Sequence, residues 1–493
     1  MRRSALALLL LTAVAGALIL WARPAAQANP DTTFTVNSTA DPGDGTCDAT
    51  ECTLREAIAA ANASAGTDTI EFNIAGAGPH TISPGSALPT ITDPVIIDGT
   101  TEPDFAGTPV IELDGSGAGD DVDGLKITAG SSTVRALVIN GFDGQGIELS
   151  GSGGNTLQGN YIGTNVAGTA DMANGTGVRI SFIMNNTIGG SAVGEGNVIS
   201  GNVSDAMWMS GASSNVVIGN YIGTDATGSY AIGNGNGVDI NETAQNNTVG
   251  GAGEGERNVI SGNTFSGVAI GDGTSGNVVK GNYIGTDATG HNGIGNGMGV
   301  CIWANAANST IGGTGAGEGN VIAYNTLDGV QVQLFAIGNT IRGNSIHSNG
   351  DKGIELVDGG NTELAAPVID GLGGSVHGHT SPKCYPCTVE VFSDNEDEGR
   401  IYHGYTTTNN DATGTWTYPG TAGGRNVTAT ITDSAGNTSE FSDPFPFPVG
   451  GIAELPGASD SATRNYIGLG ALAAAALLAL AAGGWYAGRR WLR

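Results

Sequence analysis

Residues 237–286, GVDINETAQNNTVGGAGEGERNVISGNTFSGVAIGDGTSGNVVKGNYIGT, carry the pattern that decides the fold. Three short apolar-alternating runs, Gly237 to Ile240, Asn247 to Gly250 and Asn258 to Ser261, are followed by three more, Gly267 to Ile270, Asn277 to Lys280 and Asn282 to Gly285. Gly and Asn stand at the junctions, where the chain must turn. Runs this short cannot bury a core alone, but stacked coils bury a continuous one. The Gly-Val-x-Ile run recurs from Gly146, Gly177, Ala206, Gly237, Gly267, Gly299, Gly329 and Gly353, in steps of 31, 29, 31, 30, 32, 30 and 24 residues. Longer words, such as Gly-Asn-Tyr-Ile-Gly-Thr from Gly159, Gly219 and Gly281, recur at 60 to 62 residues, so each is a pair of coils. The spacing predicts an all-β fold, a parallel β-helix with coils about 4.8 Å apart.

Asn pairs five residues apart occur at 155/160, 197/202, 215/220, 258/263, 277/282, 320/325 and 339/344. Asn tolerates tight corners, and stacked amides can hydrogen-bond along a solenoid axis, so the spacing assigns these residues to structure rather than to ligand binding.

An open solenoid end exposes strand edges and core. Thr53-Leu54-Arg55-Glu56 has the form of a capping box, and Leu54, Ala57, Ile58 and Ala61 give a short helix one apolar face, suited to plug the first coil. Strands are expected over Thr69 to Ile74, Val95 to Asp98, Val110 to Leu113 and Val134 to Ile139. The segment Cys52-Thr53-Leu54-Arg55-Glu56-Ala57-Ile58 resembles the Cys-Ser-Leu-Arg-Glu-Ala-Ile motif of a family of bacterial surface β-helix proteins, with Thr53 in place of Ser. The Gly-Asn-x-Ile repeats resemble the same family, over roughly residues 33 to 360. The resemblance implies a right-handed parallel β-helix and an exported location. It brings no settled activity and no catalytic residues.

Residues 29–363 are therefore read as the β-helix with its helix cap. Residues 364–443 are read as a small immunoglobulin-like β-sandwich serving as a stalk, because strand-like runs at Val389 to Phe392, Thr415 to Tyr418 and Val427 to Thr432 alternate with turns. Residues 444–465, Pro-rich at first, are expected to be a linker. Both ends carry targeting signals. Arg2 and Arg3, an apolar run and Ala26-Gln27-Ala28 predict a signal peptide over residues 1–28. Tyr466 to Tyr486 is an uncharged stretch long enough to span a bilayer. Arg489, Arg490 and Arg493 give the positive-inside signal, so residues 466–486 are expected to be a single transmembrane helix and 487–493 a cytoplasmic tail. The ectodomain would then face the exterior of the cell membrane.

The net charge is −29 and only four Lys are present, which argues against a nucleic-acid partner. Gly is abundant, at 84 of 493 residues, but has no three-residue period, which excludes collagen. Five Cys suit an oxidising compartment. Cys47 with Cys52 and Cys384 with Cys387 are candidate disulfides, and Cys301 is left over. A redox or zinc role for Cys384 and Cys387, the latter with His377 and His379, is the sharper alternative.

Alternation gives the Gly-Val-x-Ile strands an outward stripe: Glu148, Arg179, Trp208, Asp239, Ala269, Cys301, Gln331 and Glu355. Ser150, Ser181, Ser210, Asn241, Gly271 and Trp303 follow two positions on. Arg179, Trp208, Asp239 and Trp303 are the candidate binding residues, an aromatic and polar surface for a polysaccharide or cell-envelope glycan. Glu148 and Asp239 stand three rungs apart, about 14 Å, too far for the carboxyl pair of a glycosidase. Glu148 is expected to pair with Arg179. Asp225 and Asp287 repeat in turns, and Asp120, Asp121 and Asp123, with Arg135 one strand later, hold only a weak lyase-like pattern, because Asp-Gly recurs at corners. No catalytic residue and no cofactor is assigned. Ca²⁺ is kept open as well, since Asp394, Glu396 and Glu398 before Gly399 resemble a Ca²⁺ loop that lacks its bidentate Glu. Three functions fit: an adhesive or glycan-binding surface rod, a β-helix polysaccharide lyase or glycoside hydrolase, and a structural coat component.

Overall fold

The computed structural model describes residues 31–447; the expected signal peptide, transmembrane helix, cytoplasmic tail and most of the linker lie outside the described residues. Among the described residues no helix is long and apolar enough to cross a membrane.

Three parallel sheets of eleven, ten and nine strands wrap a common core. The first runs from Thr33–Val36 to Thr340–Arg342, the second from His80–Ile82 to Ser345–His347, and the third from Leu125–Ile127 to Ile354–Leu356. The third sheet contains the Gly-Val-x-Ile strands. The coils form a parallel β-helix, right-handed as nearly all parallel crossovers are. Each rung repeats the one below in register. Ile162 lies on Ile199, and Ile222, Ile260 and Ile284 continue the stack, all fully buried. Each such side chain contributes about 1.5–3 kcal/mol by leaving water. The expected strand Val134 to Ile139 is instead two, Thr133–Arg135 and Leu137–Asn140. Ala136 adopts φ 56° between them, turning the chain from the first sheet to the second.

Asn side chains form three ladders at the corners. One contains Asn155, Asn186, Asn215, Asn247 and Asn277, each Nδ2 donating to the next Oδ1 at 2.7–3.0 Å. A second runs Asn160, Asn197, Asn220, Asn258, Asn282, Asn320 and Asn344 at 2.9–3.0 Å. A third runs Asn174, Asn202, Asn234, Asn263, Asn296, Asn325 and Asn349. The double-coil period has a geometric cause. The Asn pairs bracket the short corner between adjacent sheets, and successive coils alternate which corner is short. The other corner carries an insertion, as at Gly189 to Asn197 or Gly163 to Asn174.

The helix Leu54–Ala63 closes the first end. Thr53 Oγ1 accepts from Glu56 N at 3.3 Å, and Glu56 Oε2 accepts from Thr53 N at 2.8 Å, a complete capping box. Glu56 Oε1 also takes Thr46 N at 3.2 Å. Arg55 clamps Asp41 at 2.6 and 2.9 Å and the carbonyls of Ser86 and Ala87 at 3.0 and 2.7 Å. Leu54, Ala57 and Ile58 face the core, so each residue of the motif has a mechanical role.

The other end is closed by two small antiparallel sheets. One joins Val368–Leu372, Val376–His379 and Trp416–Tyr418; the other joins Ile401–Thr407, Thr388–Asp394, Asn426–Thr432 and Phe445–Pro446. Val389, Val391, Trp416, Val427 and Ile431 fill their shared core. The linker expected from residue 444 begins with an edge strand, because Phe445–Pro446 pairs with Asn426 and Val427, and an edge tolerates Pro. This unit sits directly on the last coil, as a lid on the solenoid. Asn361 Nδ2 donates to Thr438 O at 3.0 Å, Ile341 N to Thr438 Oγ1 at 2.9 Å, and Arg342 Nε to buried Glu390 at 3.0 Å. Glu398 ends the third ladder by accepting from Asn349 Nδ2 at 3.1 Å and Asn349 N at 3.3 Å.

Two predictions follow from these closures. Asn220 donates to Ile188 O and Asn258 Oδ1 and accepts from Asn197. Asn220→Ala leaves several buried groups unpaired, at about 1–3 kcal/mol each, and should lower the denaturation midpoint without changing the native circular dichroism. Burial pushes Glu398 up to about 7, helped by Asp394 and Asp397. Its folded value lies above its unfolded one, so its contribution to stability is full below about pH 4.5 and is lost as pH rises through about 7. Thermal unfolding of Glu398→Gln should therefore gain on the parent protein at pH 8 relative to pH 5.

Candidate functional site

The outward row of the third sheet is assembled by register. Glu148 pairs with Arg179, Arg179 with Trp208, Trp208 with Asp239, Asp239 with Ala269, Ala269 with Cys301, Cys301 with Gln331 and Gln331 with Glu355. Lys126 extends the row one coil earlier. The fold thus brings Arg179, Trp208 and Asp239 together on successive rungs. Trp303 lies three coils after Trp208, in the neighbouring row.

The two indoles lean toward each other. Trp208 Nε1 donates to Asn241 Oδ1, one coil on, at 2.8 Å. Trp303 lies back over Gly271, where an added Cβ would come within 2.8 Å of Trp303 Cζ2. Gly is therefore needed at 271 for the ring to lie flat. Asp239, Asn241, Ala269 and Gly271 occupy the two rungs between the rings. Ala269 and Cys301 point outward yet are only 7 % exposed, so neighbouring side chains cover this part of the row.

Arg179 and Glu148 do not pair as expected. The Arg179 guanidinium stacks on Trp208, 4.4 Å from the ring centroid. Glu148 is held instead by Lys126 of the previous coil at 2.6 Å. One face of the Trp208 ring is taken by Arg179.

The residue before the strand's opening Gly, which is Ala at 206, is acidic on three coils: Asp123, Asp205 and Asp328. Each faces an acid in the outward row of the following coil, giving the pairs Asp123 with Glu148, Asp205 with Asp239, and Asp328 with Glu355. In the first pair the carboxyls share a hydrogen bond and Lys126 binds Glu148. Burial, with Glu148 adding, pushes Asp123 up to about 6. In the third pair the carboxyls again share a hydrogen bond, and Gln331 Nε2 donates to Asp328 at 3.0 Å and Glu355 at 2.9 Å. Burial and the Glu355 charge push Asp328 up to about 7.

The middle pair is different. Trp208 occupies the position that Lys126 and Gln331 hold beside the other two, and its one donor is used on Asn241. Asp205 is satisfied by Asn236 Nδ2 at 2.9 Å. Asp239 accepts from Asn241 Nδ2 through Oδ2 at 3.2 Å, while Oδ1 is buried without a partner. Burial first, then the charges of Asp205, Asp272 and Glu242, hold Asp239 well above the usual carboxyl range. Arg179 Nε and Ser181 Oγ, one coil before Trp208, are also buried and unpartnered.

Other sequence candidates fall into structural roles. Asp225 accepts from Thr227 Oγ1, Ser229 N and Tyr230 N, and Asp287 from Thr289 Oγ1, His291 N and Asn292, which closes their turns. Arg135 pairs with Asp98, away from Asp120 and Asp121. Glu398, at the end of the expected Ca²⁺-loop segment, accepts from Asn349 Nδ2 at 3.1 Å. Among the described residues, Asp44, Glu51 and Glu56 are the acids whose ligand atoms all approach within 4.8 Å, and Glu56 there serves the capping box. Cys47 is bonded to Cys52 and Cys384 to Cys387. The acids at 205 and 328 and Lys126 were missed by reading the stripe alone. Aligning the coils on the strand glycine shows the recurrent acid one residue before it.

Cys301 is free and buried beneath Gln333, whose Nε2 reaches Sγ at 3.5 Å, and burial pushes the thiol up to about 11. Ellman's reagent at pH 8 should find no thiol in the folded protein and one per chain after unfolding without reductant.

No protein-family model matches the chain, and no curated protein sequence matches it. Solved structures that resemble it include the A-module of the mannuronan C-5 epimerase AlgE4 of Azotobacter vinelandii, with 16 % identity, a TM-score of 0.39 and coverage of 66 % of this chain and 94 % of that one. The alginate lyase of Paenibacillus sp. str. FPU-7 follows at 15 % identity and a TM-score of 0.30, covering 66 % of this chain and 98 % of that one. The enzymatically active domain of bacteriophage CBA120 tailspike protein 2 has 10 % identity and a TM-score of 0.33, covering 80 % of this chain and 73 % of that one. At these scores none of them transfers an activity to this chain.

Proposed function

We propose that the protein is a surface-exposed rod that binds a polysaccharide along the outward face of its third sheet. The observation that carries this reading is the pair of indoles on one outward face, Trp208 hydrogen-bonded to Asn241 and Trp303 lying over Gly271. Indole faces suit the apolar faces of sugar rings, and carboxyl and amide groups suit their hydroxyls. The parallel scaffold offers these groups along a straight line, which matches an extended chain better than a compact ligand. The expected signal peptide and C-terminal membrane anchor support display at the cell surface with the ectodomain outside; an adhesive use of the rod follows from that placement. The overall negative charge supports a partner other than nucleic acid.

Binding of the detergent-solubilised full-length chain to a glycan array tests this. At least one polysaccharide should bind, and Trp208→Ala and Trp303→Ala should each weaken it roughly tenfold or more, as loss of an aromatic anchor does. A wild-type protein that binds no glycan would refute the reading. Protease treatment of intact cells should remove the ectodomain and leave a membrane-bound stub; an ectodomain released freely to the medium would refute the anchor.

A further inference from the structure

The sequence holds ten Asn-x-Ser/Thr triplets, the pattern at which sugars are joined to exported chains. The fold divides them into two groups. In seven, the amide nitrogen that would hold the sugar is already donating to the protein. Asn174 and Asn202 donate within the third ladder, at 3.1 and 2.9 Å. Asn241 donates to Asp239 at 3.2 Å, and Asn437 to Asp433 at 2.9 Å. Asn37, Asn62 and Asn426 donate to the carbonyls of Ala49, Thr90 and Glu396 at 3.3, 2.8 and 2.7 Å. The remaining three are Asn185, Asn246 and Asn308. All three are exposed, and their side chains make no hydrogen bond among the described residues.

These three are one position of the fold. Each stands at the corner between the third sheet and the first, in the left-handed conformation, at φ 62°, 55° and 55°. Two residues on, Thr187, Thr248 and Thr310 open strands of the first sheet and are only partly covered. Register stacks that row as Thr187, Val216, Thr248, Val278 and Thr310. The three Asn are therefore two coils apart, about 10 Å at normal strand spacing.

The left-handed corner explains the Asn but not the triplet. On the two coils between, Ser214 and Gly276 hold the same corner, and Val216 and Val278 follow two residues on. Acceptor amide and hydroxyl are lost together there. At the third site the ladder Asn between them is replaced by Ser309, yet Asn308 and Thr310 remain. The triplet outlasts the ladder.

We propose that Asn185, Asn246 and Asn308 are N-glycosylated, so that three oligosaccharides stand in a line along the edge between the third and first sheets. This requires the exported placement proposed above. The donor is an oligosaccharide on a lipid pyrophosphate, and the catalyst is a membrane-bound transferase acting on the exported chain. Asn Nδ2 attacks the anomeric carbon as the carbon–oxygen bond to pyrophosphate breaks. The lipid pyrophosphate leaves, and the displaced amide proton passes to solvent. The Thr hydroxyl is the second group that the transferase recognises. A sugar on any of the other seven amides would remove a donor from a contact that closes a coil or turn, so the folded protein holds none there. At the three edge positions a sugar takes no contact from the fold.

The test uses full-length protein purified in detergent from the membranes of the cells that make it, with glycopeptides mapped by mass spectrometry. An oligosaccharide is expected on Asn185, Asn246 and Asn308 and on none of the other seven. Thr248→Val keeps Asn246 and its corner, and Val already stands on both neighbouring rungs. That variant should lose the sugar at Asn246 alone, with native circular dichroism unchanged, and Thr248→Ser should keep it. Bare Asn at all three positions in protein located at the membrane would refute the proposal and leave the surface placement intact. Unmodified protein retained in the cytoplasm would refute both. Sugars on the seven engaged amides, or a sugar on Asn246 that survives Thr248→Val, would refute the assignment.

Discussion

The whole molecule depends on one constraint: a corner amide removed from water must find partners on the coils above and below it. Asn220 illustrates this. Its Nδ2 reaches Asn258 Oδ1 and a carbonyl of the coil below, while its Oδ1 receives Asn197. A slip of one residue in any coil would break the ladder at that corner and turn the Ile stack outward. Register is therefore fixed twice, by apolar burial inside and by amide chains at the corners. The outward rows inherit that precision. Arg179, Trp208 and Asp239 are neighbours because the residues on either side of them are fixed in the core.

A repeating scaffold turns comparison between rungs into a chemical assay. Equivalent positions share backbone geometry, so a difference in partner satisfaction reflects the side chains. Lys126, Trp208 and Gln331 occupy one position on three coils, and only the coil with Trp208 leaves its acid short of a donor. The contrast does not rest on any single distance. The end closures follow the same logic. Glu398 completes a ladder that has run out of Asn, and Glu56 and Thr53 complete a helix that has run out of preceding turn.

Much of the fold was legible in the sequence because its period is long-range and its strands alternate cleanly. The stripe from Glu148 to Glu355 is read directly from the Gly-Val-x-Ile register, and the Asn pairs announce the ladders. The corner at Ala136 was hidden, because Ala carries no turn signal and is forced to φ 56° by the coils on either side. The lid role of the C-terminal sheets was hidden too, since contacts such as Thr438 with Ile341 join residues 97 apart in sequence. At the site, rows could be predicted but leaning directions could not. Whether Trp208 turns toward Arg179, Asn241 or solvent depends on side-chain torsions that no periodicity specifies. The pairing of Glu148 with Lys126 rather than Arg179 is the same kind of choice, with Arg179 engaged on the Trp208 ring instead.

The energetic oddity of Asp239 is best understood against the economy of the rest. Buried polar groups in folded proteins are nearly always paired, and an unpaired one costs about 1–3 kcal/mol. Replacing Trp208 by Lys or Gln would, on the pattern of the outer pairs, supply the missing donor at the same position. The chain carries an indole there instead, stacked by Arg179 on one face and hydrogen-bonded to Asn241 at its edge. Those contacts stabilise the ring without relieving Asp239. A carboxyl left short of a donor beside an aromatic wall, on a scaffold able to satisfy it, marks a position that the stability of the coil alone does not set.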